Sequence, residues 1–157
     1  MTIHSKMQAA QAAVGLDHGL AAGTEVLTLD GFLPVEYLTP GDRVICRTGA
    51  LKLKAIEVTL VQNLRVVRIL QDVLGVDCPA RVMTVTPDQP ILIRDWRARA
   101  LAGSAVALIA AERLVDGAYI RVEQIAELRM FTLRFDEDVV IYAGGLELAC
   151  TAANVTA

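Results

Sequence analysis

EYLTPGDRV, residues Glu36 to Val44, has an echo in ERLVDGAYI, residues Glu112 to Ile120. Both read E-x-L-x-x-G-x-x-[VI], and 76 residues separate them, from Leu38 to Leu114. In the first copy Pro40 and Gly41 hold the central positions that a type II turn prefers, and Arg43 to Cys46 resumes as a strand. A weaker echo follows in the same order. Thr86-Pro87-Asp88-Gln89 leads into Ile91-Leu92-Ile93, and Phe135-Asp136-Glu137-Asp138 leads into Val140-Ile141-Tyr142. Two echoes in one order point to a duplicated β unit with pseudo-twofold symmetry.

Outward from these motifs the chain reads as short strands between turn signals. Glu25 to Leu29 is a strand closed by Asp30-Gly31. Leu51 to Leu60 alternates, with a phase slip between Ala55 and Ile56 that predicts a bulge. Leu64 to Leu70, Arg81 to Val85, Ile91 to Ile93, Ala105 to Ile109, Tyr119 to Val122, Met130 to Phe135 and Val139 to Tyr142 continue the pattern. Asp77-Cys78-Pro79 reads as a loop, and Ala110 to Val115 is a turn or two of helix. Many short strands with frequent Gly and Pro predict an all-β fold with little helix.

At 157 residues the chain suits one domain with a genuine core. A hydrophobic share of 54% excludes a disordered chain. Mean hydropathy is +0.46, yet the longest apolar run, Ala105 to Ala111, falls far short of the ~20 residues a membrane span needs. Net charge is -3, and the nearest approach to a basic cluster, Arg94, Arg97 and Arg99, is diluted by acids, so no nucleic-acid role is expected. Cys46, Cys78 and Cys150 lack metal-ligand spacing, and His4 and His18 add little, so neither a metal site nor a cofactor is expected. All three thiols read as structural. Met7 to Leu16 is Ala-rich without the apolar core of a signal peptide, so a reducing, cytoplasmic setting is favoured. Residues 1–18 read as an N-terminal extension. Within it Ser5, Gln8 and Gly15 suit a short helix from about Lys6 to Val14. Residues 19–146 read as the β domain and 147–157 as a tail.

The ordered motifs resemble the Hint domain, the fold shared by hedgehog autoprocessing domains and inteins, and in particular a bacterial subgroup. The matching pieces are Ala22-Gly23-Thr24 with Asp30-Gly31, Val35 to Asp42, Thr86 to Gln89, Asp95 to Ala98, Ala111 to Gly117 and Phe135-Asp136, spread over roughly residues 19 to 145. The resemblance implies a compact, horseshoe-like all-β fold with internal pseudo-twofold duplication. It also implies self-cleavage, in which an opening Cys or Ser attacks the preceding carbonyl and turns an amide into a thioester or ester. A Thr-x-x-His motif then assists at the scissile amide.

Carried over residue by residue, the nucleophile position falls on Gly19, which has no side chain. The Thr-x-x-His motif falls on Thr86 and Gln89, and glutamine cannot exchange a proton near neutral pH. A further histidine of the bacterial subgroup is replaced by Asp138. None of the three cysteines directly follows the scissile bond, so none can close the small ring of an acyl shift. Asn154 lacks the neighbours that splicing needs. His18 reads as a solvated residue beside the junction, and Trp96 as a core or half-core aromatic. The expectation is a degenerate Hint domain acting as a structural or binding module, with a protein partner and the oligomeric state left open. Two alternatives remain: self-cleavage through an unconventional nucleophile, and a small-molecule binding protein using a cleft lined by Asp88, Asp138 and Arg94.

Overall fold

The computed structural model of the chain describes residues 18–152. The expected helix at Lys6–Val14 lies outside the described residues. Within them the architecture is strands with one short helix, the all-β class expected. The elements are β1 (Leu20–Ala21), β2 (Glu25–Thr28), β3 (Gly31–Pro34), β4 (Arg43–Cys46), β5 (Gly49–Lys52), β6 (Ala55–Ile69), β7 (Met83–Val85), β8 (Pro90–Ile93), α1 (Trp96–Ala102), β9 (Ala107–Ala110), β10 (Ile120–Arg134), β11 (Val139–Ala143) and β12 (Leu146–Cys150). Strands β1, β10, β6 and β7 close into a small barrel, and the others form a sheet ordered β3-β2-β4-β11-β12-β8-β9, with β5 on β4.

Local chemistry sets the turns. The Thr28 hydroxyl donates to Gly31 O at 2.7 Å and accepts from Asp30 N at 3.0 Å, which folds the β2–β3 hairpin. Asp42 N donates to Thr39 O at 3.1 Å, with Gly41 at φ +101, as a type II turn requires. The β11–β12 hairpin has a two-residue loop, Gly144-Gly145, in which both residues take positive φ. The two copies of the opening motif share a local form. Val35–Tyr37 and Ala111–Leu114 are 3-10 turns, Leu38 and Leu114 are buried, and Gly41 and Gly117 take positive φ.

The core lies where alternate strand residues meet. Val26, Val44, Ile91, Ile141 and Leu148 from the sheet join Val67, Ile69 and Ile120 from the barrel in one cluster. Strands β6 and β10 pair antiparallel from Ile69↔Ile120 to Ala55↔Arg134.

Several expectations need correction. The two strands expected on either side of residue 62 are one strand, β6, and Tyr119–Val122 and Met130–Phe135 are parts of one strand, β10. The phase slip at Ala55 is a strand boundary and no bulge. Leu51 belongs to β5, which pairs with β4, whereas Ile56 pairs with Leu133 in unbroken register. Leu53 is buried between them and exchanges backbone bonds with Asp42 and Gly41. Helix α1 was not expected. Asp95 caps it by accepting from Arg97 N, and Gly103 ends it at φ +73. Trp96 is 69% exposed on that helix, not half-core, with the Arg97 guanidinium 4.8 Å from its ring centre. The sheet also runs past residue 146, because β12 sits between β11 and β8.

Candidate functional site

Strand β1 has only two residues, yet it is wedged between β10 and β7, with Leu20 paired to both Phe131 and Val85. This sets Gly19, just before β1, against Thr86, just after β7. Gly19 N donates to the Thr86 hydroxyl at 3.1 Å, and Thr86 N donates to Gly19 O at 3.2 Å. Both residues are buried. Two of the sequence-derived positions therefore meet, and the threonine hydroxyl sits on the amide that joins residues 18 and 19.

Gly19 is not required by backbone conformation. A Cβ built there would lie 3.3 Å from Thr86 Cγ2, 3.6 Å from Met130 Cε and 3.7 Å from Phe131 O. A small side chain fits if the Thr86 methyl gives by a few tenths of an ångström.

Gln89 belongs to the same turn, since its N–H donates to Thr86 O at 3.1 Å. Its side chain is only 2% exposed and donates to Pro90 O at 2.9 Å and Ala149 O at 2.8 Å. Both amide hydrogens are thus committed to backbone carbonyls, tying the turn to β12. Asp138 stands apart. It is exposed, and its Oδ1 accepts from Ala152 N at 2.8 Å. With half-buried His18 it borders a depression walled by Pro90, Leu108 and Cys150, with Arg47 at its side.

The cleft expected from Asp88, Asp138 and Arg94 does not form. Asp88 lies in a shallow depression with Asn63 and Glu112, and Arg94 lies in others, bonded to Glu147 at 2.9 and 3.1 Å. Motif reading also passed over Met130 and Thr132. Met130 is fully buried against the Gly19 position. Continuing the β1–β10 register by one step sets Gly19 abreast of Thr132, whose buried hydroxyl has no partner among the described residues. The alternation of Met130-Phe131-Thr132-Leu133, which puts Met130 and Thr132 on one face, was the available signal.

The thiols are poorly suited to attack. Burial, then Cys46, pushes the Cys150 thiol up to about 12, against a slight opposing pull from Arg134. Burial is also the main cause raising Cys46 and Cys78, with acidic neighbours adding to it. All three are free cysteines, and a raised thiol holds little of the reactive thiolate at neutral pH. Among the described residues no group of three His, Cys, Asp or Glu could hold a metal ion, and no helix is long and apolar enough to cross a membrane.

The Hint domain family profile matches residues 18–151. No curated protein matches the chain in sequence. Among solved structures, a bacterial intein-like domain from Clostridium thermocellum is similar at 16% identity and a TM-score of 0.62, covering 85% of this chain and 97% of that one. The TvoVMA intein is similar at 12% identity and a TM-score of 0.59, covering 85% and 97%. A DnaB intein from Synechocystis is similar at 10% identity and a TM-score of 0.55, covering 85% and 99%. At such identities the likeness speaks for the fold, and the profile match speaks for descent. Taken with the barrel-and-sheet architecture, the match over residues 18–151 places this chain in the Hint domain family.

Proposed function

We propose that this chain is a Hint domain without peptide self-cleavage, kept as a structural or binding module. The observation that carries the reading is the Gly19–Thr86 bracket. The backbone of the junction is held at 3.1 Å by the Thr86 hydroxyl, while Gly19 offers no heteroatom to attack the preceding carbonyl. An acyl shift needs a nucleophile on the residue after the scissile bond. Proton transfer to the leaving amine needs a group that titrates, and the Gln89 amide does not. The committed Gln89 hydrogens and the raised thiols support the same reading. The like local form of the two motif copies supports a duplicated β unit, and three free thiols favour a reducing setting.

The test fuses a folded reporter ahead of the full chain and incubates the fusion with thiol or hydroxylamine. Intact mass is expected to remain that of the uncut fusion. A product beginning at Gly19 would overturn the proposal.

A further inference from the structure

Strand β6 is paired on one side from Ala55 to Ile69, with a break at Asn63, and on the other only at Val67–Ile69, where β7 meets it. Residues 55–62 therefore form an open sheet edge among the described residues. The direction of the backbone groups follows from β10. Ala22 N donates to Arg129 O, so the odd residues of β10 in this stretch bond toward β1. Hydrogen-bonded pairs alternate in an antiparallel ladder, so Leu128, Met130 and Thr132 bond toward β6, to Val61, Thr59 and Glu57. The N–H and C=O of Ile56, Val58, Leu60 and Gln62 must then point outward.

The side chains on this edge are not those of a guarded one. Val58 is 55% exposed and Leu60 57% exposed, within the uncharged run Val58-Thr59-Leu60-Val61. Lysine, proline or a very short strand would blunt such an edge. None of these is present in residues 55–62. Strand β10 carries Arg121, Glu123 and Glu127 over a comparable stretch.

We propose that this edge pairs antiparallel with the same edge of a second copy, the twofold axis passing at Thr59. About that residue the inner pair, Val58 and Leu60, is matched in apolar character. Val58 lies opposite the second copy's Leu60 and Leu60 opposite its Val58, so four exposed apolar side chains meet on one face. Glu57 lies opposite the second copy's Val61, so no like charges oppose one another. The four outward residues supply matching donors and acceptors, and the isologous contact closes at two copies.

Sedimentation velocity of the full chain, from micromolar to several hundred micromolar, tests this. A dimer that dissociates on dilution is expected. Val58→Pro removes an outward N–H while leaving the β6–β10 ladder its bonds, and Leu60→Lys sets a charge on the apolar patch. Each should weaken association at least about tenfold with an unchanged circular-dichroism spectrum. A monomer across the whole range would overturn the proposal, and so would folded variants that dimerise as strongly as the parent. If one variant fails to fold, the other decides.

Discussion

Gly19 and Thr86 are joined twice, through the hydroxyl and through the backbone, and the first bond decides what each residue contributes. Thr86→Val keeps the shape but leaves the buried Gly19 N–H without its acceptor. The expected loss is about 1–3 kcal/mol in chemical denaturation. Gly19→Ala adds only a methyl at ordinary backbone angles, with Thr86 Cγ2 3.3 Å away. Its stability should stay within about 1 kcal/mol of the parent, since lost chain freedom in the unfolded state offsets slight crowding. Equal losses in the two variants would mean that the bond is not the stabilising element.

Cys150 gives a pH dependence of definite sign. Its thiol ordinarily ionises near 9.0 and is pushed up to about 12 in the fold. Above its ordinary value the unfolded chain releases a proton that the folded chain keeps, so stability is whole below about 9 and is lost as pH rises toward about 12. The slope from one such group approaches about 1.4 kcal/mol per pH unit. Cys150→Ala should flatten the fall in melting temperature between neutral and strongly alkaline pH. An identical pH profile in the variant would remove Cys150 as its source.

At the scale of elements, α1 depends on its ends. It has seven residues, too few to hold by propensity alone. Asp95→Ala removes the cap on Arg97 N and the ion pair to its guanidinium, and should cost about 0.5–2 kcal/mol with a loss of helical signal. The signals for this helix were in the sequence, in Asp95 and Gly103, but Arg97 and Arg99 read only as part of a diluted basic cluster with Arg94, and Trp96 as a core or half-core aromatic. The strands were legible wherever one face is buried, as in Val139–Ala143, whose residues alternate between buried and half-buried. The lengths of β6 and β10 were not. Midway along both, neither face is consistently covered, so the alternation on which the reading depends fades. Asn63 at φ +53 adds a local departure that reverses which residues face the core. The site was legible in part. Motif order led to Gly19 and Thr86, but the bonds of Gln89 to β12 and the contact with Met130 depend on distant strands, which no local pattern encodes.

At the scale of the whole molecule, a long loop is pinned onto the sheet through two glycines. Ala80 N donates to Gly144 O, and a Cβ on Gly145, already at φ +93, would sit on the Asp77 carbonyl oxygen. Gly145→Ala should therefore cost more than about 2 kcal/mol, because backbone strain and a backbone collision act together. A thermal midpoint equal to that of the parent would show that the loop can lift away without loss. The two-residue strand β1 carries another consequence. It pairs Leu20 with Phe131 and with Val85, so the earliest part of the domain to leave the ribosome waits for nearly the latest before it finds its neighbours. Contacts at such sequence separation place refolding from denaturant in the range of milliseconds to seconds, slower than local structure would allow. The junction between residues 18 and 19 is thus shaped by strands drawn from three distant parts of the chain, and none of them alone can form it.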